Sequence, residues 1–457
     1  MNRLATLVFA FVIAAESTAA AGGMFLPTRG VRPTARGGAF VAGADDLGAM
    51  WFNPAGLAAT RGGEPHQFLF DMSYVSQRVS YERMDSGFNE LESIDSENTG
   101  LPIPTLGISF DVADDIVIAG GILAPYAALG RYDPEGPQRY SLVDLSDTKM
   151  IIAEVAVGWQ VTDKLRLGAG LQNMYADVVS SVVFNGCPGQ TVCAPEDPEF
   201  DSLSHIEQTD YFSPSGVVGV QYAIADRVRT GAAFQLPFRV SGTGDLTVVL
   251  PSTGFFNGAS VSGDKAAMTF TLPAMLRAGI EVDPFERWHA ELAVDIEFWS
   301  MHDEFLVEPE NVRIEDAPGV GTYQIGDMRI PREFDNSVSV KLGVEGQPLA
   351  ETPLTVAFGY AYETAAAPDE YLSVMTVDGV KNLFAAGLGY RFGNTRVFVS
   401  GSYVAVGERE VTQDEGVAPQ LSPIRDDNQT APLDTFVNWG TYRAHWYTAG
   451  LGVASEF

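Results

Sequence analysis

From His66 to the C-terminus the chain runs in short stretches of strict two-residue alternation, each closed by turn residues. Between Trp288 and Phe298 the even positions are Trp288, Ala290, Leu292, Val294, Ile296 and Phe298. The odd positions include His289, Glu291, Asp295 and Glu297. Successive side chains of a strand point to opposite faces, so this stretch has one oily face and one charged face. Leu272 to Val282 repeats the pattern against Thr271, Arg277 and Glu281, and so do Val338 to Val344, Leu354 to Tyr362 and Phe384 to Phe392. A single stretch says little. A long series is the mark of a transmembrane barrel.

The series predicts fourteen strands: 66–83, 102–111, 115–126, 148–161, 164–184, 211–224, 228–240, 266–282, 288–301, 332–345, 353–363, 381–392, 396–406 and 441–457. Short and long connections between them alternate. The short ones are Asp111 to Asp115, Thr162 to Lys164, Ala225 to Arg227, Asp283 to Arg287, Gly346 to Thr352 and Gly393 to Thr395. The long ones are 84–101, 127–147, 185–210, 241–265, 302–331, 364–380 and 407–440. Bacterial barrels carry short turns on the periplasmic side and long loops outside, and an even strand count closes them. A soluble β-sandwich shares the alternation but has no reason for this rhythm. Nor would it set aromatics at strand ends, as Trp159, Trp288, Phe298, Tyr360 and Tyr390 are set here. The expected fold is therefore all-β, a 14-stranded antiparallel transmembrane β-barrel. Phe457 ends an alternating strand with Tyr447, Ala449, Leu451 and Val453 on one face, interrupted by Ser455, in the form of an outer-membrane assembly signal. Such a signal implies the barrel-assembly machinery as a partner, with membrane lipid around a monomer.

The N-terminus supports export. Arg3, an apolar run from Leu4 to Ala15 and the small residues Ser17 to Ala21 make a signal peptide, residues 1–20, cleaved after Ala19, Ala20 or Ala21. The apolar run is too short to span a membrane as a helix, and no later stretch approaches that length. Hydrophobic residues make up 46% of the chain while mean hydropathy is only +0.04, as interleaving requires. The net charge of −31 repels phosphate backbones, so nucleic acid is not an expected partner. Acid concentrates in Asp85 to Glu97 and Glu408 to Asp427, which read as solvated loops. Cys187 and Cys193, close together in an exported chain, read as one local disulfide.

Before the first strand lies a stretch with neither period. It contains Gly22-Gly23-Met24-Phe25-Leu26-Pro27, then Arg36 through Asp45 and Asp46, then Met50-Trp51-Phe52-Asn53-Pro54-Ala55-Gly56-Leu57. This order resembles the mature N-terminus of the FadL/TodX family of outer-membrane hydrophobic-compound transporters. The likeness is close over about forty residues and architectural over the rest. It implies that residues 21–63 form a hatch or plug inside the lumen of a barrel spanning 64–457, with Asp45, Asp46, Asn53, Pro54 and Ala55 within the plug. Elementary geometry agrees, because fourteen strands enclose more space than their own side chains can fill. Glycine permits the tight turns such a filler needs, and Asn53 with Pro54 suits an Asx-type tie. The third strand contains Gly120, Gly121 and Pro125. In the family a kink there opens the wall sideways; the same residues would also serve an ordinary barrel bend. The implied function is passive transport of long-chain fatty acids or other apolar compounds. Leu250 to Phe256 and Phe305 to Val307 are candidates for the capture groove.

Enzymatic chemistry finds no footing. There is no Gly-x-Ser-x-Gly elbow, and His66, His205, His289, His302 and His445 lack metal-ligand spacing, so no metal, cofactor or catalytic residue is expected. His445, the one candidate for a barrel lipase, is expected as a polar lumen wall residue. Glu291, Asp295 and Glu297 are expected to pair with Arg277 and Lys341 across the lumen wall. A general porin and a structural or adhesive surface barrel are the alternative functions.

Overall fold

Fourteen strands hydrogen-bond edge to edge into one closed antiparallel ring in the computed structural model, which describes residues 29–60, 66–98, 100–127, 129–187, 193–194, 196–318, 321–422 and 435–457. The expected signal, residues 1–20, lies outside them, as does the start of the 21–63 segment. In chain order the strands are β1 His66–Arg83, β2 Leu101–Ala113, β3 Ile116–Ala127, β4 Lys149–Gln160 and β5 Leu165–Asn185. They continue with β6 Asp201–Ala225, β7 Val228–Gln235, β8 Met275–Phe285, β9 Trp288–Glu297 and β10 Ser337–Gly346. The last four are β11 Leu354–Glu363, β12 Lys381–Phe392, β13 Thr395–Val406 and β14 Gly440–Glu456. Each pairs with its successor, and β14 returns to β1 from Gln67 opposite Glu456 to Arg83 opposite Gly440. Main-chain bonds between His66 and Phe457, at 3.2 and 2.9 Å, seal the seam at the chain end.

The alternation is turned inside out relative to a soluble protein. Leu292 is 44% exposed and Leu342 48%, while Glu291 and Asp295 on the alternate face of β9 are buried. Oily faces therefore point away from the protein and polar faces into the bore, which excludes the sandwich arrangement. With no water in the hydrocarbon layer, every strand edge must be paired, and closure meets that demand. Tyr360, Phe384, Tyr403 and Tyr447 stand side by side on four successive strands, β11 to β14, each with its ring outward. The row lies toward the long-loop end, where an interfacial girdle belongs.

Above the girdle the wall continues further than the oily pattern shows. β6 begins at Asp201 rather than near residue 211. β7 resumes beyond Leu236-Pro237 as Phe238–Val249, and β8 is preceded across Pro273-Ala274 by Lys265–Leu272. Glu304–Pro309 and Met328–Pro331 extend the same sheet, so the expected loops 185–210, 241–265 and 302–331 are partly strand. Outside the lipid a strand needs no oily outer face, and so no hydrophobic alternation marks it.

Leu342 sits at the centre of β10 on the lipid side. Leu342→Arg is expected to destabilise the barrel by about 2–4 kcal/mol, the cost of a cation near the bilayer midplane. Urea titration of the protein in vesicles, followed by heat-modifiable gel mobility, measures it; a change no larger than that of Leu342→Ala would contradict the lipid-facing assignment.

Candidate functional site

Residues 29–60 fill the inside of the ring. Two short helices, α1 Val31–Ala35 and α2 Ala49–Phe52, and the 3-10 segment Pro54–Thr60 are packed against the inner faces of the strands. Their buried side chains include Phe40, Met50, Trp51 and Phe52. The segment is held by charge. Arg32 makes a two-pronged contact with Glu345 of β10 and reaches Asp45 at 2.5 Å and Asp46 at 2.8 Å. Arg36 lies 2.6 Å from Glu281 of β8 and 3.1 Å from Glu291 of β9. The other lone pairs of Glu291 accept the main-chain N–H groups of Val41, Ala42 and Gly43 at 2.7 to 3.0 Å. Asp71 of β1 accepts the N–H of Val31, and Gln221 of β6 donates to the carbonyls of Val41, Ala42 and Ala44. Buried polar groups must find partners, and here wall and filler serve each other.

The wall makes room for this main chain with glycine. Gly158, Gly168 and Gly219 are direct neighbours across β4, β5 and β6, and Gly343 faces Gly359 across β10 and β11. A Cβ at Gly158 would lie 2.7 Å from the Ala58 nitrogen, and one at Gly343 would lie 2.7 Å from the Arg36 oxygen. At Gly168 it would collide with the Pro54 and Ala55 main chain. Gly37, resting on Gly359, has φ 62°, a conformation that glycine adopts without strain. Asn53 ends α2: its Oδ1 accepts the Ala55 N–H at 3.2 Å, and its Nδ2 donates to Val41 and, across to the wall, to Val220, both at 3.0 Å.

One seam of the ring is incomplete. The ladder between β2 and β3 runs up to Leu106 opposite Ile122 and stops, although both strands continue outward. Beyond it β2 pairs only with β1, and β3 pairs only with β4 through a register shift between Leu123 and Tyr126. Pro102, Pro104 and Pro125 fall in this stretch, each lacking the N–H a ladder needs. Gly107 and Gly121 face each other at the last rungs under the Met50 side chain, whereas a Cβ at Gly120 would meet only the Glu154 main-chain oxygen, at 3.8 Å. Thr105 and Leu123, one on each side of the parting, line a cavity of about 810 Å³ that also touches Leu47, Gly48 and Asp71.

A second cavity of about 680 Å³ lies in the outer half of the ring. Leu145, Val178, Ile206, Met268, Phe270, Phe305, Val307 and Met328 line it, and no charged residue does among the described residues. Phe305 and Val307, two of the capture-groove candidates, border this apolar chamber. Phe256 packs with Phe200 and Cys187 of the bonded pair Cys187 and Cys193, and Leu250 packs both there and against the cluster that holds the chamber residues. From the chamber one continuous apolar cluster descends through Leu272, Phe238 and Tyr126 to Trp51 and Met50.

Some expected placements differ. Asp295 pairs with Lys341 and, at 4.0 Å, with Arg277, but Glu291 and Glu297 are taken by Arg36 and Arg29 of the inner segment. Their partners come from a stretch that the wall's own pattern could not reveal. His445 sits beside Tyr403 and Tyr447 on the outer face, not in the lumen, because β14 sets position 445 in phase with 447. A serine–histidine contact does exist elsewhere, Ser181 Oγ to His205 Nδ1 at 2.8 Å, with no carboxylate hydrogen-bonded to His205 among the described residues.

Residues 12–431 match the family described as outer membrane protein transport protein (OMPP1/FadL/TodX). A Pseudomonas aeruginosa FadL homologue is similar in structure with a TM-score of 0.76 at 16% identity, over 96% of this chain and 100% of that one. The Pseudomonas putida toluene transporter TodX gives 0.65 at 15% identity over 96% and 100%, and the Ralstonia pickettii toluene transporter TbuX gives 0.60 at 15% over 97% and 100%. No curated protein matches the sequence significantly.

Gly168→Val puts methyl groups where Pro54 and Ala55 run. The variant is expected to form a heat-modifiable barrel whose inner segment is dislodged, raising ion conductance in planar bilayers well above the wild type. An unchanged conductance would mean that the segment does not depend on this contact.

Proposed function

The chain belongs to the OMPP1/FadL/TodX family of outer-membrane transport proteins, and on that premise we propose that it passes long-chain fatty acids or other apolar small molecules by passive diffusion. The observation that carries this reading is the uncharged outer chamber joined by continuous apolar packing to a lumen that residues 29–60 block. An apolar solute gains by leaving water for such a chamber, by about 25 cal/mol for each Å² it buries. Ions and sugars gain nothing there and meet the obstruction below. That contrast favours a hydrophobic-compound transporter over a general porin.

In the proposed route, the chamber captures the solute and α2 then yields near Met50. The solute leaves between β2 and β3, where the ladder ends and Gly120, Gly121 and Pro125 weaken the wall. Asn53, Pro54 and Ala55 anchor the plug against β5 and β6, and Asp45 and Asp46 hold Arg32 in place, while Met50, between these anchors, gives way. The protein works as a monomer without cofactor or chemical step, and the barrel-assembly machinery reads Phe457 at the closing seam. Among the described residues the Ser181–His205 contact has no orienting acid of the kind nucleophilic catalysis uses.

Mass spectrometry of small molecules released from the purified protein tests the reading. Recovery of an apolar metabolite in near-equal amount with protein is expected, and Phe270→Arg, which sets a cation in the chamber, should lower its retention about tenfold or more. Recovery of structural lipid alone, unaltered by Phe270→Arg, would overturn it.

A further inference from the structure

A second seam of the wall, between β6 and β7, is interrupted in its middle rather than cut short. β6 pairs with β7 up to Val217 opposite Gln235, and meets the upper strand Phe238–Val249 only from Gln208 opposite Gly244. Between these ladders, 209–216 and 236–243 run side by side without a rung, although the register above and below is the same. Pro214 and Pro237 fall in the gap, and neither can donate to a ladder. Each lip is secured on its far side. Thr209 pairs with Asp177 and Gly216 with Leu171 of β5, while Phe238 pairs with Leu272 and Thr243 with Ala267. Side chains sew the lips together instead. Asp210 Oδ2 accepts the Ser241 N–H at 2.9 Å, and the Ser213 hydroxyl lies 2.8 Å from that oxygen and 2.9 Å from the Arg239 carbonyl oxygen. The Ser215 hydroxyl donates to the Leu236 carbonyl at 2.9 Å. The lips are close, since a Cβ at Gly242 would lie 3.1 Å from the Thr209 oxygen.

A barrel in lipid keeps its main-chain groups paired, and a continuous ladder is the ordinary means. A seam sewn by two hydroxyls and one carboxylate meets the same demand with ties that can open one at a time, while every strand keeps its other neighbour. Both sides of this seam are apolar. Outside, Leu236 follows Phe234 on the oily face of β7, and on the other lip Tyr211 and Phe212 are exposed, Phe212 by 72%. Inside, Phe238 and Val240 are fully buried. Val240 pairs with Phe270, which lines the outer chamber, and the Phe238 ring lies 6.4 Å from that of Tyr126, which in turn lies 6.5 Å from Trp51 of the plug. The seam therefore stands between lipid and the apolar column that joins the chamber to the plug.

We infer that the β6–β7 seam is a second lateral portal, through which neutral apolar solutes dissolved in the outer leaflet enter the bore between chamber and plug. The inference rests on the transport reading above and adds to it a second source of solute, the bilayer itself. The ladders above and below frame the opening and fix its length. Asp210 and Ser213 act as the ties that release it, and Phe238 and Val240 form its inner sill.

The test joins the lips after the barrel has folded. Tyr211→Cys with Ser241→Cys sets one thiol on the outward face of each lip, to be linked by bismaleimidoethane, while the native Cys187–Cys193 pair is already bonded. Val218→Cys with Phe234→Cys, linked in the same way across the intact ladder below, is the control. Entry of a neutral apolar dye is followed into vesicles with a lipopolysaccharide outer leaflet and an enclosed albumin trap, against protein-free vesicles. Linking the lips is expected to slow protein-dependent entry about fivefold or more, as locking a gating segment does, and the control link to leave it within about twofold. Ser213→Ala, which removes one tie, should speed entry. Entry unchanged by the lip link, or slowed alike by both links, overturns the portal and leaves the transport reading standing. Wild-type entry no faster than into protein-free vesicles overturns both.

Discussion

A ring of fourteen strands encloses more space than inward side chains can fill, and the organisation of the lumen follows from that constraint. The wall turns Glu281, Glu291 and Glu345 into a dry interior, where an unpaired carboxylate would be costly. Arg32 and Arg36 supply the counter-charges from the N-terminal segment. The same segment needs acceptors for its own N–H groups, and Glu291 provides them for Val41, Ala42 and Gly43. Removing one member of such a set leaves a buried charge behind, a loss of about 3–5 kcal/mol in comparable cases. Wall and filler are thus stable together and neither is complete alone.

Electrostatics sets the register of the filler, and glycine sets its distance from the wall. On Gly158 and Gly168 the segment Pro54 to Ala58 lies with backbone against backbone, and the neighbouring Gly219 makes room for the Asn53 and Pro54 side chains. The adjoining stretch of wall, β2 and β3, is made differently. There the contacts are Met50 against Gly107 and Gly121, a soft side chain over the last rungs of an interrupted ladder. A rigid attachment at β4 to β6 beside a compliant one at β2 and β3 suits a stopper that shifts without leaving.

The barrel was largely legible because lipid imposes a two-residue period, and that period survives in any strand that crosses it. Val338, Val340 and Leu342 had to be oily, and their neighbours had to be polar. Where the wall leaves the lipid the rule lapses, which is why Asp201 to Asp210 gave no strand signal. Glu291 and Arg36 are charged residues 255 positions apart, and no local pattern could join them. Gly158, Gly168, Gly219 and Gly343 were not singled out in the sequence, although their recurrence beside oily positions was a usable signal. Pro102 and Pro104, opposite Pro125 across the parted seam, were visible as sequence but take their meaning from register.

The central claim is that this bore admits apolar solutes while its plug excludes polar ones. Proteoliposomes loaded with a polar fluorophore and challenged with a neutral apolar dye address both halves at once. The account requires protein-dependent, saturable entry of the apolar dye with the polar one fully retained. Leakage of the polar dye at a comparable rate, or apolar entry no faster than into protein-free vesicles, would contradict it.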